Sequence, residues 1–201
     1  MGTRGLFGLR KGGVDKTTYN HYDSYPDGLG YEMADFIINH SADNMLELYD
    51  KIEMVDECVS PTTEQIMLCR EYADPDFSVS EQSAYDWYCL TRGLQGNLAK
   101  AYKMVSQCGV TYMMDRRDFI RDSLFCEYAY IINLDDRVLE LYTGFQRKLQ
   151  EGNRYGTAPN EGGYYPCKLL DRIPFSEITN IRATIDRMNE ALEKECGDED
   201  V

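Results

Sequence analysis

The chain lacks any apolar run near the roughly 18 residues that a membrane-crossing helix requires. Its opening, MGTRGLFGLRKGG, is shorter and more polar than a secretory signal. A soluble, cytoplasmic protein with no membrane contact is therefore expected. Positive charge is scarce too: 21 Lys and Arg stand against 35 Asp and Glu, a net charge of −14. Such a surface repels the phosphate backbone of DNA or RNA, so no direct nucleic-acid partner is expected. Histidine occurs only twice. The seven cysteines, at positions 58, 69, 89, 108, 126, 167 and 196, form no C-x-x-C pair and no metal-ligand cadence. They read as reduced, mostly packed thiols. The motifs G-x-x-x-x-G-K-[ST], strand-linked G-x-G-x-x-G and G-x-S-x-G are missing as well, and no cofactor is expected. Removal of Met1 exposes Gly2, which has no nucleophile, so an N-terminal nucleophile hydrolase is not indicated.

What is present suits one compact domain. Of the 201 residues 43% are apolar or aromatic and 28% charged. The domain is taken as residues 1–196, with 197–201 a frayed acidic tail. Charge is uneven along it: residues 41–95 carry 12 acids and 3 bases, whereas 96–150 carry 7 acids and 8 bases. An acidic segment of this kind steers a basic partner, or serves only as a well-solvated helical face.

Residues 3–10 and 15–22 are two short runs joined by Lys11-Gly12-Gly13-Val14, and the Gly-Gly pair supplies the positive φ of a tight hairpin. In the second run Thr17, Tyr19, His21 and Asp23 fall on one face by the period of two. From Leu29 the spacing of Leu29, Met33, Phe36 and Ile37 predicts a helix to about His40, followed by another over 43–49. The pairs Thr62/Gln65 and Ser78/Glu81 have capping-box form, ahead of helices over 66–72 and 84–94, and a further helix is predicted over 98–106. Strand character returns over 125–134 and 138–143, with Asp135-Asp136 as the turn. Residues 144–174, with five glycines, three prolines and three tyrosines, read as one long loop. Ile178, Ile181, Ile185, Met188 and Leu192 then mark one face of a last helix, with Ser176 as its N-cap. The expected fold is α+β: one antiparallel sheet built from an N-terminal and a later hairpin, covered by a mostly helical acidic middle and a C-terminal helix.

The chemistry-bearing residues concentrate at the first strand-to-helix junction. His21 next to Asp23, with Tyr19, Tyr25 and the nearby Arg4, could form a small polar pocket: His21 as general base oriented by Asp23, Arg4 holding an anionic group. His21 is expected within reach of Asp23, Arg4 or a backbone carbonyl. The alternative is structural, with the tyrosines in the core and Arg4 balancing Asp23. His21-x-Asp23 offers at most two metal ligands, too few for a site, so no metal is expected. In the long loop, Tyr155, Tyr164 and Tyr165 are candidate interface anchors, large in area and low in entropy cost, or else pack onto the domain.

The opening Met1-Gly2-Thr3-Arg4 and the segment Tyr19-Asn20-His21-Tyr22-Asp23-Ser24-Tyr25-Pro26, with Gly30, resemble a group of short phage and prophage proteins. Those begin M-x-T-R and carry Y-x-H-aromatic-D-(G/S)-Y-P-x-x-x-G. Residues 127–135 and 139–142 are similar to the group's later strand pair. The resemblance covers the first thirty residues and about twenty near position 130, and it implies a phage context without an activity. The expected function is a non-enzymatic binding protein, such as an inhibitor of a host anti-phage defence protein with a basic surface. An enzyme or a small-ligand or nucleotide binder using Arg4, His21 and Asp23 is the alternative.

Overall fold

In the computed structural model, which describes residues 2–79 and 85–199, the first hairpin forms as its turn chemistry demands. Strands β1 (Gly5–Lys11) and β2 (Val14–Asn20) pair antiparallel from Gly5 opposite Asn20 to Lys11 opposite Val14. Gly12 and Gly13 between them have φ of 58° and 77°, the left-handed pair that matches strand twist in a two-residue turn. Because β2 stops at Asn20, only Thr17 and Tyr19 of the anticipated face belong to a strand.

Strands β5 (Tyr128–Asn133) and β6 (Val138–Thr143) form the second hairpin, and both hairpins join one five-stranded sheet that a further strand, β7 (Lys168–Pro174), completes in the order β2-β1-β5-β6-β7. The architecture is α+β, but the seam where β1 meets β5 is parallel, so the sheet is mixed rather than wholly antiparallel. The two hairpin tips are tied together by Asp135, whose carboxylate accepts from the amides of Gly12 and Gly13 at 2.8 and 3.0 Å. Strand β7 (Lys168–Pro174) comes out of the stretch expected to be loop, and pairs antiparallel with β6 through an irregularity at Leu141/Tyr142.

Side chains alternate across this sheet. Phe7, Leu9, Tyr130, Ile132, Leu139, Leu141 and Ile173 form the main core with α1 (Tyr31–Asn39), α2 (Ala42–Lys51), α5 (Leu98–Cys108) and α6 (Ile181–Glu199). Leu6, Ala129, Ile131 and Tyr142 pack on the other side with Ile120, Cys126, Tyr155 and Cys167. Both faces are thus covered, which explains why β5 reads as a nearly unbroken apolar run. Each fully buried large side chain here contributes about 1.5–3 kcal/mol relative to exposure.

A second, parallel pair of strands, β3 (Ile52–Val55) and β4 (Thr111–Met114), was not indicated by the pattern. It carries a smaller core of Cys69, Trp87, Leu90, Tyr112 and Met114 with α3 (Thr63–Cys69) and α4 (Trp87–Leu90). Thr62 and Gln65 form the expected capping box, and Ser41 and Asn44 form another at the start of α2. Of the Ser78/Glu81 pair, Glu81 lies outside the described residues, as does Ala84; α4 is capped by Asp86, whose carboxylate accepts from the Cys89 amide at 2.8 Å. Helix α6 is capped by Asn180, which accepts from the Ala183 amide at 3.0 Å, rather than by Ser176, which sits in the single turn Phe175–Glu177. Of the six cysteines whose side chains are described, Cys69, Cys89, Cys126 and Cys167 are buried and Cys58 and Cys108 exposed, all as free thiols. Among the described residues no helix is long and apolar enough to cross a membrane.

Candidate functional site

After Asn20 the chain folds back into a compact junction before α1. The Asn20 amide donates to the Tyr22 carbonyl at 2.6 Å and to Ser24 Oγ at 2.8 Å, and the Ser24 amide donates to the Thr3 carbonyl at 3.2 Å. Asp23 adopts a left-handed φ of 56°, and its carbonyl accepts from the Leu29 amide at 2.8 Å. A Cβ on Gly28 would overlap that carbonyl, so the glycine is required for the close approach. Buried Asn20 and Ser24 are the organisers of this turn, and neither stood out in the sequence.

The side chains that carry chemistry do not converge there. His21 is exposed, and its Nδ1 lies 3.1 Å from the Tyr19 hydroxyl, not near Asp23, Arg4 or a carbonyl as expected. Partial desolvation of the ring, and then the positive charges of Arg92 and Arg4, lower its pKa. The Asp23 carboxylate points elsewhere and accepts from the Tyr25 hydroxyl at 3.3 Å. The left-handed backbone at Asp23 ends the strand alternation that would have put the two side chains on one face. Arg4 gives its amide to Glu127 Oε1 at 3.0 Å and lays its guanidinium over the Phe125 ring at 4.8 Å. Among the described residues it makes no ion pair with Asp23. A His–Asp couple is therefore not formed, and among the described residues no group of three metal-ligating side chains assembles.

Tyr155 is turned inward and 8% exposed, so its ring is core rather than an interface anchor. It packs edge-on against Tyr142, with ring centroids 5.6 Å apart, and its hydroxyl donates to Asp15 at 3.0 Å while accepting from Arg154 at 2.7 Å. Tyr164 is half-buried under Arg147, whose guanidinium lies 4.0 Å from the ring centroid, and Tyr165 is half-buried with its amide bonded to the Gln146 carbonyl at 2.8 Å.

Around Tyr155 lies a polar network that no sequence spacing announces. Glu140, in the middle of β6 and 1% exposed, accepts from Arg154 Nη1 and Nη2 at 2.8 and 2.6 Å, from Asn133 at 2.9 Å and from the Tyr142 hydroxyl at 3.0 Å. Asp15 joins it through Tyr155 and through its own ion pair with Arg10 at 2.7 Å. Every oxygen of Glu140 is engaged. The network fastens the loop after β6 to the sheet and presents no open acid or base.

The acidic segment is different, because its charges face solvent. Glu47, Asp50, Glu53, Asp56, Glu57, Glu64, Glu71 and Asp76 are all exposed. Lys11 neutralises Asp50, Arg116 neutralises Glu57 and Lys103 neutralises Glu71. Among the described residues Glu47, Glu53, Asp56, Glu64 and Asp76 have no base within ion-pair distance. Exposed apolar side chains interrupt these acids: Val59 at 60%, Met67 at 70% and Val79 at 73%. Met67 follows Glu64 by three residues on α3, which puts both on one helix face. Val79 shares a shallow hollow of about 220 Å³ with Glu57.

Comparison with protein-family models, with curated proteins and with solved structures finds no match to this chain.

Proposed function

We propose that this protein is a non-enzymatic binder that docks a basic host protein through the acidic surface around α3, in the manner of a phage-borne inhibitor of a defence protein. The observation that carries the reading is Met67, 70% exposed on the same helix face as the uncompensated Glu64 and close in chain to exposed Val59. A solubility face has no use for large apolar side chains, whereas an interface uses them as its contact core inside a charged rim. The net charge of −14 favours encounter with a basic surface. The phage element of the reading rests on the resemblance of the first thirty residues and the 127–142 strand pair. An enzymatic reading at Arg4, His21 and Asp23 has no base–acid couple to support it.

The test compares the wild-type chain with Met67→Ala and with the quadruple charge reversal Glu53→Lys, Asp56→Lys, Glu64→Lys and Asp76→Lys. Partners are captured from a bacterial lysate and association is then followed by surface plasmon resonance. The reversal should slow association strongly, and the wild-type rate should fall as the Debye length shrinks from about 10 Å at 0.1 M salt to about 3 Å at 1 M. Met67→Ala should act on the dissociation rate. A captured partner whose rates ignore salt and both variants sinks the proposal.

A further inference from the structure

In a chain so rich in acids, one cleft is cationic. A hollow of about 420 Å³ lies between the turn after β2, the turn Pro75–Phe77, the turn Arg92–Leu94 and α5. Three bases line it, Arg92, Lys100 and Lys103, with Tyr22 and Phe77 at its walls. Its two acids are already engaged. Glu71 pairs with Lys103 at 3.0 Å, and Asp74 caps the adjacent turn by accepting from the Asp76 amide at 3.3 Å. Among the described residues no carboxylate lies within ion-pair distance of Arg92 or Lys100. Positive charge is thus left over here, although the protein as a whole is strongly negative.

Arg92 is built into place rather than left to wave in solvent. Its Nη1 donates to Gln95 Oε1 at 2.7 Å, and its guanidinium sits 4.3 Å from the Phe77 ring centroid, 5.3 Å from Tyr22 and 5.6 Å from Tyr88. The rings and Gln95 fix the plane, while Nε and Nη2 have no partner among the described residues. A planar fork held on aromatic faces with free donors is the arrangement that binds a phosphoryl group. Gly93 completes the wall: its amide donates to the Tyr72 carbonyl at 2.8 Å, and a Cβ there would come within 2.7 Å of that oxygen.

We infer that this cleft binds a nucleoside monophosphate, its phosphate on Arg92 and Lys100 and its base against Tyr22 and Phe77. Tyr22 and Phe77 are 53% and 43% exposed, so although Arg92 covers part of each ring, both side chains keep surface against which a base can pack. The volume suits a small ligand. A nucleic-acid strand is disfavoured because its many phosphates would lie along an acidic surface, whereas one mononucleotide meets only the local charge. This site is separate from the proposed docking of a basic protein and stands or falls without it.

The test is isothermal titration calorimetry of the full chain with AMP and UMP, alongside adenosine and inorganic phosphate. At least one nucleotide should bind, and both fragments should bind at least about tenfold more weakly, since each keeps only half of the contacts. Arg92→Gln and Lys100→Gln should each weaken the nucleotide by about tenfold, the loss of one charge-assisted hydrogen bond. Lys100 is exposed, so Lys100→Gln keeps the test sound if Arg92→Gln perturbs folding. No binding of either nucleotide at about 1 mM, affinity unchanged in Lys100→Gln, or phosphate alone binding as tightly as the nucleotides would each overturn the assignment.

Discussion

Removing Arg154 tests whether the Glu140 network is what holds the loop after β6 to the sheet. Arg154→Met keeps most of the side-chain length and volume but leaves Glu140, 1% exposed, with the neutral donors Asn133 and Tyr142 and only the more distant Arg172 guanidinium, 3.7 Å away, to balance its charge. Stripping one partner from a buried pair costs about 3–5 kcal/mol. Arg154 is itself 28% exposed, so water can reach the vacated space, and the lower end, about 3 kcal/mol, is expected. With a urea dependence of about 2 kcal/mol per molar, the unfolding midpoint should move down by about 1.5 M. The double variant Glu140→Gln/Arg154→Met removes both charges and should cost only about 1–2 kcal/mol, less than Arg154→Met alone. Equilibrium urea unfolding at pH 7, followed by fluorescence of Trp87 and by circular dichroism, measures all three. A loss below about 1 kcal/mol for Arg154→Met, or a double variant at least as unstable as Arg154→Met alone, refutes the reasoning.

Two glycines of the first hairpin separate close packing from backbone freedom. Gly8→Ala would drive a Cβ into the Lys16 carbonyl and should cost about 2 kcal/mol or more, whereas Gly12→Ala, with φ of 58° and open space around it, should cost about 1 kcal/mol; thermal unfolding of the pair checks the contrast. The Gly13 and Gly12 amides hold the Asp135 carboxyl below its usual pKa of 3.8. Its stabilisation is therefore present above that value and lost as pH falls through the lowered one, so wild-type melting temperature should drop as pH falls below 3.8 and Asp135→Asn should flatten that drop. Burial pushes the Cys69 thiol up to about 12, so peptide mass spectrometry after brief alkylation of the native protein should find Cys58 and Cys108 modified well before Cys69; equal labelling would contradict the burial.

The parts of the fold visible in the sequence are those whose signal is local. Gly12-Gly13 and the Thr62/Gln65 pair each specify a backbone geometry within a few residues, and both form as read. Strands β3 and β4 were invisible because four residues are too few for a period to show, and they pair only after the chain has passed through α3, α4 and α5. Strand β7 hid because Lys168, Asp171 and Arg172 interrupt its apolar residues, as suits an edge strand whose Leu169 is 40% exposed. The junction residues were identified but their mutual placement was not, since one left-handed residue, Asp23, breaks the alternation that joined His21 to it. Arg154, Glu140, Tyr155 and Asp15 meet only through tertiary contacts, and Tyr155 and Asp15 are 140 residues apart in sequence. The acidic segment was legible as charge, but Met67 at its surface required the fold.

The parallel seam sets a timetable for the newborn chain. β1 finds its second neighbour only when β5 arrives, a separation like the 123 residues between Arg4 and Glu127, which at a ribosomal pace of about 5–20 residues per second is a wait of about 6–25 s. Through that interval one long edge of the first hairpin stands open, a template for any other unfinished strand in a crowded polysome. Arg10 is matched across the hairpin by Asp15, but Lys11 at the end of the strand puts a like charge where two such edges would meet, which discourages sister chains from zipping together before the rest of the sheet is made.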